Sequence, residues 1–149
     1  LYKGYTMTIQ RAISTLLKGA IMMEGLTFYS YPSCTSCRRT KAWLKSQDIP
    51  FKEQHLFRDT PNADELKRIL SLTTNGIDEI LAKRSKEFKK LSINVDELSI
   101  NEFLELVIEK PKLLRRPILT DGEKLVVGYN VEGLRGITNK RRELSEQIS

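Results

Sequence analysis

A chain of 149 residues, 40% apolar, with a formal charge of +6 and a pI near 9.4, has the size of one domain and can bury a core without disulfide staples. The basic balance fits acidic partners or nucleic acid, but the charges are interspersed and a solvated helix face accounts for many of them, so charge alone selects no function. Two cysteines, Cys34 and Cys37, and one histidine, His55, are too few soft ligands for a closed tetrahedral zinc site. Two vicinal thiols in an otherwise cysteine-free chain suit a reducing, cytoplasmic setting, where a disulfide is transient.

Residues 1–22 hold Arg11 and Lys18 around a weakly apolar stretch that never reaches the length of an export signal or membrane span. Ile9, Ala12, Ile13, Leu16 and Leu17 would share one face of a surface helix over Thr8–Leu17. A different reading is preferred. The chain begins with leucine, Met22-Met23 stands just before the first convincing strand, and Lys18-Gly19-Ala20 is what the purine-rich run AAAGGAGC of a bacterial ribosome-binding site would encode. Residues 1–22 are therefore expected to be a non-native or disordered extension ahead of a start at Met22 or Met23.

Leu26–Ser30 reads as a first strand, stopped by Tyr31-Pro32. Ser33 or Thr35 caps the helix expected from Ser36 to about Gln47, with Ala42, Trp43 and Leu44 as its apolar contacts and Ile49-Pro50 as its end. Phe51–Phe57 alternates as a second strand, and a strand-helix-strand order with a right-handed crossover makes the two strands parallel. Asp59-Thr60-Pro61 opens a helical region in which Thr60 or Asn62 caps a helix through Leu66, Ile69 and Leu70. Thr73-Thr74-Asn75-Gly76 interrupts it, Gly76 supplying the positive φ that ends a helix. Ile77, Ile80 and Leu81 share a face, as do Phe88 and Leu91; Phe103, Leu104, Val107 and Ile108 form a stripe that stops before Pro111. Residues 59–111 are thus expected to be an all-helical insert. Leu113–Leu119 returns to strand, Asp121-Gly122 turns, and Lys124–Val127 pairs back antiparallel. The Arg116-Pro117 step is a candidate cis peptide, and the segment after Gly128-Tyr129-Asn130 is basic and partly helical.

The chemistry centres on Pro32-Ser33-Cys34-Thr35-Ser36-Cys37-Arg38-Arg39. A Cys-x-x-Cys where a strand turns into a helix marks a thioredoxin-like fold: the free N–H groups and positive dipole end favour a thiolate at Cys34, and Arg38 and Arg39 add positive potential. Cys34 is expected to meet an oxidant and Cys37 to resolve the sulfenate as a disulfide. Arg116 would favour the thiolate or hold an oxyanion if the fold brings it to the pair.

Leu26–Ser30 running into Pro32-Ser33-Cys34-Thr35-Ser36-Cys37-Arg38, Gly76–Ile80, Arg84-Ser85, Leu113–Ile118 and Gly128-Tyr129-Asn130 together resemble the Spx branch of the arsenate-reductase-like superfamily over residues 24–135. Within that branch Phe28–Tyr31, His55–Arg58, Leu70–Thr74 and Glu109–Lys112 resemble the MgsR type. The resemblance implies an α/β fold: a thioredoxin-like mixed sheet made of halves 24–58 and 112–135, the helical insert 59–111 between them and a basic segment 136–149, all in one domain over 23–149. It implies a monomeric, cytoplasmic stress-response transcription regulator without cofactor, metal or membrane attachment. Such a regulator binds the C-terminal domain of the RNA polymerase α subunit and meets promoter DNA only within that complex. On the same resemblance Cys34 and Cys37 are the redox switch, Arg116 couples it to the rest of the protein, and Gly76 and Arg84 lie on the polymerase-binding surface. Ser71 stands where better-known members carry arginine. The ending Glu146-Gln147-Ile148-Ser149 lacks the small apolar tail of members handed by an adaptor to an AAA+ protease.

Competing readings remain. A glutaredoxin-linked arsenate reductase with Cys34 as nucleophile would use several arginines for its oxyanion; Arg84 and Arg116 match two such positions, but Gly128-Tyr129-Asn130 occupies the third. A general dithiol oxidoreductase would use the same pair. A direct DNA binder rests only on charge and on Lys140-Arg141-Arg142, with no recognition-helix motif beside them.

Overall fold

A computed structural model of the chain describes residues 25–148, with side chains through residue 139. The expectations placed on residues 1–22, on the side chains of Lys140-Arg141-Arg142 and on the final residues lie outside what is described.

Four strands form one mixed sheet: β1 (Thr27–Ser30), β2 (Lys52–His55), β3 (Ile118–Thr120) and β4 (Leu125–Val127), in the order β2-β1-β3-β4. β1 runs parallel to β2, with Tyr29 opposite Gln54; β3 is antiparallel to both β1 and β4, Leu119 lying between Phe28 and Val126. Because successive strand residues face opposite sides, the sheet has two cores. Phe28, Leu119 and Val126 face the helices α1 (Thr35–Ser46) and α6 (Val131–Ile148), together with Cys37, Leu44, Leu134 and Ile137. Tyr29 and Ile118 face the helical insert, where Leu66, Ile69, Phe103 and Leu114 are fully or almost fully buried.

α1 buries Cys37, Thr40 and Leu44, a three- and four-residue spacing that keeps one face on the sheet. Leu44 is buried and Trp43, half-buried, packs against the same core, whereas Ala42 is exposed and its expected place is taken by Cys37. The helix ends where Asp48 takes φ 54°, a conformation that Asp tolerates, and the Ile49 N–H turns back to the Leu44 carbonyl at 3.0 Å, putting Ile49 into the core.

The insert holds α2 (Ala63–Ser71), α3 (Ile77–Ile80), α4 (Lys86–Lys89) and α5 (Ile100–Glu109). Asn62 caps α2 by accepting from the Glu65 N–H at 2.8 Å. Ser99 and Glu102 form a reciprocal capping box on α5, which satisfies two donors at its first turn. Ile108 is 39% exposed and does not belong to the buried stripe of Phe103, Leu104 and Val107, because it lies one residue past the face turned to the core.

The strands are shorter than the apolar runs that contain them. Leu56 buries into the core but residues 56–58 form a turn, so β2 stops at His55. Leu113 ends a short 3-10 turn, Pro111–Leu113, and Leu114 makes one bridge to Leu81 before β3 starts at Ile118. The Arg116–Pro117 peptide is cis, as the sequence led us to expect.

Candidate functional site

The thiol pair sits where β1 turns into α1. The Cys34 N–H donates to the Tyr31 carbonyl at 3.0 Å, closing the turn, and Cys34 itself is the N-cap residue in extended conformation. Its Sγ accepts from the Cys37 N–H at 3.3 Å. The sequence led us to expect Ser33 or Thr35 as the cap; the sulfur takes that place, since Cys34 is the last residue before helical backbone and only its side chain reaches back to the first-turn donors.

The two sulfurs differ in surroundings. Cys34 is half-buried and Cys37 is 3% exposed; both are free thiols. Burial, with the hydrogen bond to Cys34, pushes the Cys37 thiol up to about 12, against the opposing pull of a hydrogen bond with the Tyr31 backbone and of the Arg116 charge. At neutral pH Cys37 therefore remains protonated, and the reactive end of the pair is Cys34, the sulfur with access to solvent. A cleft of about 270 Å³ lined by Ser30, Tyr31, Pro32, Cys37, Arg38, Lys41 and Glu53 opens beside Cys37. At its wall Lys41 Nζ pairs with Glu53 at 2.8 Å, and the Ser30 hydroxyl donates to the same carboxylate at 2.9 Å. Burial opposes the Glu53 charge, but these two hydrogen bonds outweigh it and hold the carboxyl below its ordinary range.

Arg116 stands next to the cis proline, and its charge pulls weakly against the raised Cys37 thiol. The guanidinium rests over two aromatic rings, with Cζ 5.6 Å from the centroids of both Tyr31 and Phe57. Arg115 points elsewhere. Its N–H donates to the Ile80 carbonyl at 2.8 Å and its guanidinium to the Glu79 carbonyl at 3.2 Å, tying the proline loop to α3. Arg38 donates to the Thr35 hydroxyl at 3.4 Å, and Arg39 stacks 4.5 Å over the Tyr129 ring. The segment Gly128-Tyr129-Asn130, which lacks the third oxyanion-binding arginine, thus carries an aromatic ring that engages Arg39.

Gly76 and Arg84 lie on the insert, Gly76 at the N-cap of α3 and the exposed Arg84 in the turn between α3 and α4. Gly76 does not end a helix, as the sequence reading had it; it begins one, at φ 68° and ψ −140°. A Cβ built on it would meet nothing within 4 Å, so the glycine serves the backbone and leaves the surface open. Glu79 closes the preceding loop by accepting from the N–H groups of Thr74 and Asn75 at 2.7 and 3.3 Å. Ser71 is exposed at the end of α2. Sequence reasoning missed the aromatic support of Arg116 and the pairing of Arg39 with Tyr129, since both join residues far apart in the chain.

Among the described residues no three His, Cys, Asp or Glu side chains converge on a common point for a metal, and no helix is long and apolar enough to cross a membrane.

Comparison with known proteins agrees with this geometry. The model of the ArsC family matches residues 29–137. The chain is 64% identical over 120 residues to the regulatory protein MgsR of Bacillus subtilis, covering 80% of this chain and 95% of that protein. It is 51% identical over 110 residues to the global transcriptional regulator Spx of Enterococcus faecalis, covering 74% and 83%. Among solved structures, an arsenate reductase from Vibrio cholerae is similar at a TM-score of 0.69 and 26% identity, over 76% of this chain and 98% of that one.

Proposed function

Since the chain belongs to the ArsC family and, within it, to the Spx/MgsR group of redox-sensing transcription regulators, we propose that Cys34 and Cys37 are its thiol/disulfide switch and that its output is contact with RNA polymerase. The contact is with the C-terminal domain of the α subunit, in the cytoplasm, and promoter DNA is met within that complex. One observation carries the reading: an accessible Cys34 sulfur at a helix N-cap, 3.3 Å from the backbone N–H of a buried, protonated Cys37.

The chemistry follows from that asymmetry. The Cys34 thiolate attacks the O–O bond of a hydroperoxide; one oxygen is retained as the sulfenic acid and the other leaves as water or alcohol. The Cys37 thiol then attacks the Cys34 sulfur and expels a second water as the S–S bond forms, the two sulfurs having given up two electrons. A cellular dithiol reverses the change. The new bond constrains the first turn of α1 next to the Tyr31 turn, and the Arg116 guanidinium lies over the Tyr31 ring. Arg115 extends from the same loop to the carbonyls of α3, the helix that Gly76 begins. By the resemblance to the Spx group, Gly76 and Arg84 are assigned to the docking surface and Arg116 to the coupling between thiols and surface.

Enzymatic arsenate reduction is the weaker reading, because Tyr129 stands in the segment where a further arginine would be needed and occupies Arg39 instead. The decisive experiment is capture of the purified α C-terminal domain by oxidised, reduced and Gly76→Arg protein, run beside an arsenate-reduction assay. Binding that is lost in Gly76→Arg, with no arsenate turnover, supports the proposal; robust turnover without α binding overturns it.

A further inference from the structure

Three aromatic side chains beside the thiols are not accounted for by the switch itself. Tyr31 and Phe57 stack with centroids 4.5 Å apart, tilted at 50°, and His55 meets them edge-on at 5.8 and 5.9 Å. Tyr31 comes from the turn after β1, while His55 and Phe57 come from the end of β2 and the turn after it. The Arg116 guanidinium lies 5.6 Å from both stacked rings, within the distance at which a cation is held by a ring quadrupole.

We propose that Tyr31, His55 and Phe57 are positioning residues that hold Arg116 beside the Cys34–Cys37 pair and thereby set the rate at which the pair is oxidised. The inference rests on reading the pair as a redox switch. Tyr31 serves both halves of the site: its backbone carbonyl accepts from the Cys34 N–H and its ring supports the guanidinium. His55 acts one step further out. Its Nδ1 accepts from the N–H groups of Phe57 and Arg58 at 3.1 and 3.2 Å, which fixes the turn presenting Phe57. A guanidinium held in this way is placed to stabilise the negative charge that develops on the departing oxygen. A flexible arginine left to solvent would do this for only a fraction of the time.

The oxidation written for the switch applies unchanged: hydrogen peroxide takes two electrons from Cys34 and Cys37, giving one disulfide and two waters. The test is the second-order rate of disulfide formation in reduced protein mixed with hydrogen peroxide, with melting temperatures recorded alongside. Tyr31→Leu and Phe57→Leu, which keep apolar bulk and remove the π face, are expected to slow the reaction about threefold to tenfold, the range a partly exposed cation–π contact transmits. Tyr31→Phe keeps the ring and the wild-type rate. His55→Asn, which offers an acceptor oxygen to the same two N–H groups, restores most of what His55→Leu loses. In an Arg116→Ala background, Tyr31→Leu has no further effect.

A Tyr31→Leu defect of the same size with and without Arg116 would overturn the inference, as would unchanged rates in both leucine variants. Failure of wild-type protein to form a Cys34–Cys37 disulfide would instead overturn the switch on which the inference rests.

Discussion

Substituting Gly76 separates backbone conformation from surface contact. At φ 68° and ψ −140° the residue occupies a region that L side chains avoid, at a cost of roughly 1–3 kcal/mol for any replacement that keeps the backbone in place. An added Cβ has nothing within 4 Å, so side-chain size adds no steric cost: Gly76→Ala and Gly76→Arg are expected to lose the same stability to within about 0.5 kcal/mol. For a domain of this size each kcal/mol lowers the melting temperature by roughly 3–5 °C. Urea unfolding measures the loss, and calorimetric titration with the polymerase α C-terminal domain, at a temperature where both variants are folded, measures binding. Alanine should bind within about threefold of wild type and arginine more than tenfold more weakly, a difference of at least ~1.4 kcal/mol. An arginine variant much less stable than the alanine one would show that the position is not open. Two variants that bind like wild type would remove Gly76 from the docking surface.

Two further outcomes follow from the thiol geometry. In reduced protein at neutral pH, iodoacetamide should modify Cys34 and leave Cys37 unlabelled until the chain unfolds, read by peptide mass spectrometry; equal labelling would contradict the burial and protonation assigned to Cys37. The raised Cys37 thiol also gives a pH dependence. The unfolded thiol ionises near its ordinary value of about 8.5 and the folded one at about 12, so above the first value the unfolded state binds fewer protons than the folded state. The stability contributed by the protonated thiol is complete below about pH 8.5 and is lost progressively as pH rises toward 12. Cys37→Ala should flatten that slope in denaturation curves taken across alkaline pH, and an unchanged slope would assign the loss to other groups.

Much of this arrangement was legible in the chain. Cys-x-x-Cys after an apolar strand fixes where a thiol pair must sit, and an Arg-Pro step before a second apolar strand locates the loop opposite it. The apolar runs Leu26–Ser30 and Leu113–Leu119 mark two strands, while the division of Phe28 and Leu119 to one face and Tyr29 and Ile118 to the other comes from the fold. Boundaries were less legible, because Leu56 and Leu113–Leu114 are as apolar as strand residues but are buried from turns and a single bridge; hydrophobicity reports burial, while pairing depends on neighbours the pattern does not reveal. The cap at Cys34 was missed because thiols are not counted among capping groups. The ring support of Arg116 joins positions 31, 55, 57 and 116, and only the fold brings them together, although the Tyr31 and His55–Phe57 segments were already part of the sequence resemblance.

The central claim is that the oxidation state of Cys34 and Cys37 controls contact with polymerase. It is tested most directly by transcription from a stress promoter with purified RNA polymerase and protein in which the pair is fully oxidised, fully reduced, or blocked by Cys37→Ala. The account predicts strong activation by the oxidised protein and weak activation by the other two. Equal activation by all three would contradict it.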